Sequence, residues 1–123
     1  MKQKKIRLFL AAALLVLTVG AKAQTADSAR TPENRAAALT EKMKTQLPLT
    51  ADQVPQIQAI NLKYAQKNQE ILTGTEGRFA KLRALKSSFK EKDKEMKAVL
   101  NDDQYQKYEA IKEEIKEKAR QNY

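Results

Sequence analysis

A helix-start device occurs twice in this chain, about fifty residues apart. In Leu49-Thr50-Ala51-Asp52-Gln53-Val54, Thr50 has the hydroxyl of an N-cap residue, able to accept a backbone N–H of the first turn. Gln53, three residues on, can reach back to the Thr50 N–H, which makes a capping box. Leu49 before the cap and Val54 four after it are placed to form a hydrophobic staple, and Asp52 in the first turn suits the helix dipole. Leu100-Asn101-Asp102-Asp103-Gln104-Tyr105 repeats every role: Leu before the cap, Asn at the cap, acids in the first turn, Gln three on and an apolar residue four on. A single capping box is a weak signal. Two with matching flanks commit both following stretches to helix.

The rest of the chain agrees. Downstream of residue 23 it is rich in Ala, Lys, Glu, Gln and Leu, all good helix formers. No stretch alternates apolar and polar residues with the β-branched enrichment of a strand, so the fold class is all-α. A first helix is predicted from Thr31, with Pro32 at its first position, where a missing N–H is harmless. Its stripe is Leu39, Met43 and Leu47, and Pro48 ends it. The helix after Thr50 shows Ile57, Ile60, Tyr64 and Ile71 on one face, with Pro55 costing one backbone bond near its start. Thr73-Gly74-Thr75-Glu76-Gly77 reads as a break, with a glycine at C′ and a threonine as a fresh cap. The alternative is one long helix weakened by two glycines. The third helix covers about Arg78 to Val99, with Phe79, Leu82, Leu85, Phe89, Met96 and Val99 as an imperfect stripe. The fourth carries Tyr105, Tyr108, Ile111 and Ile115.

The start of the chain has a different character. Lys2, Lys4, Lys5 and Arg7 precede an apolar run from about Leu8 to Val19, and Ala21-Lys22-Ala23 follows. Basic start, short apolar middle and small-x-small end are the pattern of a secretory signal peptide, with cleavage expected before Gln24. The run is short for a membrane span, which needs about 20 residues. With no cysteine in the chain, a lipid-modified anchor, disulfides and thiol chemistry are all excluded. The expected organisation is a signal peptide over 1–23, an unstructured polar segment over 24–31, and one helical domain over 32–123. The expected compartment is the periplasm. The leader carries five basic residues and no acidic one, so its removal lowers the net charge from +9 to +4. Much of the basic excess is thus targeting signal, and export argues against nucleic acid as a partner. A small helical chain with few aromatic residues buries little apolar surface, which makes a homodimer the expected remedy.

Charge is concentrated on one helix. Residues 78–97 hold Arg78, Lys81, Arg83, Lys86, Lys90, Lys92, Lys94 and Lys97 against Glu91, Asp93 and Glu95, a net +5. Phe79, Leu82, Leu85 and Phe89 sit among them. A solvated face or a dimer seam accounts for such a mixture. So does a client-binding surface on which charge captures and apolar groups retain. The candidate binding residues are Arg78, Phe79, Lys81, Leu82, Arg83, Lys86, Phe89 and Lys90. Without histidine or cysteine, the usual nucleophile–base arrangements are unavailable, and no catalytic, cofactor or metal residue is assigned. Met43 and Met96 read as gap fillers of the core.

The paired motifs Leu49-Thr50-x-x-Gln53 and Leu100-Asn101-x-x-Gln104, with the stretch Ile60-Asn61-Leu62-Lys63-Tyr64-Ala65, resemble the Spy/CpxP (LTxxQ-motif) family of periplasmic proteins over roughly residues 36 to 118. Asn101 departs from the family's threonine, a change the cap tolerates. The resemblance implies an elongated, bent helical hairpin of about four helices that dimerises antiparallel into a thin cradle. It implies an envelope-stress role as an ATP-independent chaperone of unfolding envelope proteins. An adaptor or inhibitor binding one partner, such as the periplasmic domain of a sensor kinase, is the alternative. Binding to anionic membrane surfaces is a weaker third reading.

Overall fold

The computed structural model describes residues 31–121 as four helices: α1 (Pro32–Gln46), α2 (Gln53–Thr73), α3 (Arg78–Val99) and α4 (Asp102–Gln121). The fold is all-α. The leader, its cleavage point and residues 24–30 lie outside the described residues. No described helix is long and apolar enough to cross a membrane.

Cross-helix partners give the topology. Arg35 meets Gln69 and Thr40 meets Asn61, so α1 runs antiparallel to α2. Lys63 meets Glu95 and Lys67 meets Glu91, so α3 runs antiparallel along α2 as well. α4 returns past the start of the hairpin, joined by Lys42–Glu114 and Asp93–Lys112 ion pairs. It touches α1 and α3 over short stretches only. All four helices meet in one core of Met43, Leu47, Ile57, Met96, Leu100, Tyr108 and Ile111. Burying these side chains is the main stabilising term, about 1.5–3 kcal/mol for each large apolar residue.

α1 begins as its sequence requires. Thr31 is the cap and accepts the Asn34 N–H at 3.2 Å, with Pro32 at the first helical position. Thr31, expected in the unstructured polar segment, therefore belongs to the helical domain. The middle of the chain does break, so α2 and α3 are separate helices. The devices differ from expectation, however. α2 closes on Gly74 at φ −68°, not in a left-handed turn, and α3 is capped by Gly77, not Thr75. A Cβ at Gly74 would sit 3.2 Å from the Glu70 carbonyl oxygen, which explains the glycine by close approach.

The buried face of α2 is more polar than the apolar pattern implies. It consists of Ile57, Asn61 and Tyr64, with Ile60 and Ile71 at its margins. Asn61 donates to Thr40 Oγ1 at 3.0 Å, and the Thr40 hydroxyl donates to the Ala36 carbonyl at 2.8 Å. Two helical turns further along α2, Asn68 accepts from the fully buried Ser88 of α3 at 2.6 Å. These short side chains take apolar positions in the α1–α2 and α2–α3 seams because most of their polar groups find partners there, which lowers the cost of burial, although Asn61 Oδ1 is buried without one among the described residues.

Both capping boxes form. The Gln53 N–H donates to Thr50 Oγ1 at 3.3 Å, and Gln53 Oε1 accepts the Thr50 N–H at 2.9 Å. Asn101 and Gln104 repeat this at 2.9 and 3.0 Å. Regular helix starts at Gln53, later than the cap, because Pro55 has no N–H to offer the Ala51 carbonyl. The two boxes are also locked to each other. Gln53 Nε2 donates to Gln104 Oε1 at 2.8 Å and to the Val99 carbonyl at 3.0 Å. Gln104 Nε2 donates to Gln53 Oε1 at 3.0 Å and to the Pro48 carbonyl at 2.9 Å. Val99 and Pro48 each lie two residues before their cap, so the arrangement has local twofold symmetry. Each amide fills two donor and two acceptor positions, its full capacity. Leu100 is buried, and Leu49 packs against the same core. The six motif residues thus pin the starts of α2 and α4 together.

Candidate functional site

Leu82, Leu85, Phe89, Lys92 and Met96 follow one another along α3 at steps of three and four, and so share one face. Met96 lies in the core, but the face continues past it. Phe89 and Leu82 stay 52% and 54% exposed, and Phe79, near the hairpin tip, is 80% exposed. The stripe expected from sequence is therefore core at one end and open surface at the other. The cause is α4, which packs against α3 near Asp93 and leaves the earlier turns uncovered.

Between these elements lies a groove of about 570 Å³. Leu82, Leu85 and Phe89 form its α3 wall, and Leu39 enters from α1. Tyr108, Ile111 and Ile115 come from α4; the first two are buried and lie deepest, while Ile115 is exposed at the lip. Five lysines border this apolar surface: Lys86, Lys90 and Lys92 of α3, and Lys112 and Lys116 of α4. Its one carboxylate, Asp93, accepts from Lys112 Nζ at 2.7 Å and from the Tyr108 hydroxyl at 3.1 Å. Burial, and then the Asp93 charge, push the Tyr108 phenol far above its usual range. Tyr108 therefore acts as a hydrogen-bond donor and not as an acid.

Of the residues expected to bind clients, Leu82, Lys86, Phe89 and Lys90 line the groove and the other four do not. Arg78 and Arg83 are exposed away from it, as is Phe79. Lys81 caps the end of α2, donating to the Leu72 carbonyl at 3.0 Å. Sequence reasoning missed Lys92 and Lys112, and placed Tyr108, Ile111 and Ile115 on the apolar face of the fourth helix without linking them to a site. Lys92 had a signal: it falls on the apolar stripe, where the spacing calls for a hydrophobic residue.

Burial depresses the Lys92 pKa from 10.5 to about 8, opposed by Asp93 and aided by Lys112. Below pH 8 the folded protein carries a charged ammonium that the unfolded chain solvates better. Between about 8 and 10.5 the unfolded chain holds a proton that the folded protein has released, so stability rises with pH across that window. Lys92→Met is therefore expected to be more stable than the parent at pH 7. The difference should shrink as pH rises above 8, which urea denaturation at a series of pH values would measure.

A family model described as a domain of unknown function (DUF4890) matches residues 21–108. The chain belongs to the DUF4890 family. No curated protein and no solved structure matches it. The DUF4890 match takes in both capping boxes, their glutamine lock and the whole α3 wall of the groove. It ends at Tyr108, so Ile111, Ile115 and Lys116 of the facing wall lie beyond it.

Proposed function

We propose that this DUF4890 protein is a periplasmic, ATP-independent holdase that captures unfolding envelope proteins in the lysine-bordered groove between α3 and α4. The observation that carries this reading is the groove itself: an apolar cleft with exposed Leu82, Phe89 and Ile115 at its lips and five lysines around one engaged carboxylate. Exposed apolar groups of this size mark binding surfaces. Acidic or electroneutral unfolded segments are drawn in by the lysines, whose field acts at range, and are retained by apolar contact. Neither step uses nucleotide. The leader-like first 23 residues and the resemblance to the Spy/CpxP family support the compartment and the role, and the same resemblance supports a dimer as the working unit.

The test is light scattering of a denatured client diluted into buffer with the protein and no nucleotide. Aggregation should be suppressed at low salt and less so at high salt, because screening weakens the capture step. Lys86→Glu/Lys90→Glu should lose most of the suppression while retaining its helical circular dichroism. No suppression by a folded protein in several-fold excess would sink the reading, and recovery of one envelope protein alone on an affinity column would replace it with an adaptor role.

A further inference from the structure

Lys92 stands in the groove where an apolar residue is expected, between Phe89 and Met96 on the α3 stripe. Its side chain is half-buried, and among the described residues no carboxylate lies within 4.0 Å of its ammonium. The neighbouring Asp93 is already occupied by Lys112 and Tyr108. The other charges facing this part of the groove are cationic: Lys86 and Lys90 from α3, Lys112 and Lys116 from α4, with only apolar Leu39 coming from α1. An ammonium withdrawn from water without a partner costs free energy. A bound anion would offset that cost.

We propose that the groove binds a single-chain anionic amphiphile, a long-chain fatty acid whose acyl chain lies against Leu82, Leu85, Phe89 and Ile115 and whose carboxylate meets Lys92. Size favours this occupant. About 570 Å³ falls within the roughly 300–1,000 Å³ of small-molecule sites. Charge sets the sign of the head group: Lys112 and Lys116 are paired with Asp93 and Glu113, while Lys86, Lys90 and Lys92 have no carboxylate partner among the described residues. The depressed basicity of Lys92 reflects the same burial, and a carboxylate beside it would hold the ammonium charged. The acyl chain shares Leu82, Phe89 and Ile115 with the surface proposed for polypeptide capture, but the head-group contact is distinct, because it concerns one carboxylate beside Lys92.

The test is titration calorimetry of the purified full chain with palmitate below its micelle concentration, in parallel with hexadecyltrimethylammonium and hexadecanol. Palmitate is expected to bind saturably and the other two much more weakly. Lys92→Met, expected to fold at least as well as the parent, should weaken palmitate about tenfold, the worth of one charge-assisted contact. Lys63→Met, outside the groove, should leave it unchanged. Equal binding of the cationic probe, unaltered binding by Lys92→Met, no heat from folded protein, or binding only to anionic phospholipid vesicles would each overturn the proposal. The aggregation assay reads separately, so either activity can fail while the other stands.

Discussion

Gln104→Glu is expected to cost about 3–5 kcal/mol, the range for a buried charge left without a partner. Gln104 is 2% exposed. Its carbonyl oxygen accepts the Asn101 N–H, a role glutamate can also fill. Its amide donates to Pro48 and Gln53, and a carboxylate cannot. Glu would instead place negative oxygen against the Pro48 carbonyl and Gln53 Oε1. A domain of this length has a total stability of order 5–15 kcal/mol, so this one change removes much of it. Urea denaturation followed by circular dichroism would measure the loss. Stability should partly return as pH falls, because a protonated carboxyl regains one donor. Asn101→Thr, which keeps a capping oxygen, should cost a few tenths of a kcal/mol. If Gln104→Glu behaved like Asn101→Thr, the glutamine pair would be a cap alone and not a lock.

Tyr108→Ala is expected to cost about 3–5 kcal/mol, as for other large-to-small changes in packed cores. The ring is 2% exposed and belongs to the common core, and its hydroxyl donates to Asp93 on α3. Beyond Tyr108, α4 is held by Ile111 in the same core, by the glutamine lock at its start and by the Lys42–Glu114 and Asp93–Lys112 pairs, partly exposed pairs worth little each. Loss of the ring should therefore free α4 before the α1–α2–α3 body unfolds. Hydrogen exchange should show the amides of residues 108–121 losing protection first. Tyr108→Phe removes one hydrogen bond, about 1 kcal/mol, and leaves Asp93 held by Lys112. Cooperative loss of protection across all four helices would refute the picture of α4 as the separately held element.

Local chemistry was the legible part of this chain. Thr31 with Pro32, Thr50 with Gln53, and Asn101 with Gln104 announced three helix starts, because a cap is decided by residues three positions apart. Apolar stripes located Met43, Leu47, Ile57, Met96, Tyr108 and Ile111 in the core. Errors arose where a side chain's environment depends on another helix. Asn61, Thr40 and Ser88 gave no apolar signal, yet they are buried, because each finds a polar partner across the seam. Phe79, Leu82 and Phe89 lay on the α3 stripe, which left surface and seam both open; they are exposed, because no second helix covers that end of α3. The Thr75 cap failed because the connection closes on Gly74 and Gly77 without needing a side-chain oxygen.

Half of the candidate site followed from sequence for the same reason. Leu82, Lys86, Phe89 and Lys90 could be named as a basic, apolar stretch of one helix. Lys92, Lys112, Ile111 and Ile115 join them only because α4 returns beside α3, and Arg78, Phe79, Lys81 and Arg83 drop out because the groove occupies one face of the helix. By itself the sequence determined where helices start, that the fold is all-α, and that positive charge gathers on α3. Tertiary structure alone decided that two capping glutamines about fifty residues apart complete each other's hydrogen bonds, and that one lysine of a charged helix is drawn into an apolar cleft. Capping and periodicity are set by neighbours along the chain, whereas burial and the satisfaction of a polar group are set by whatever the fold brings alongside.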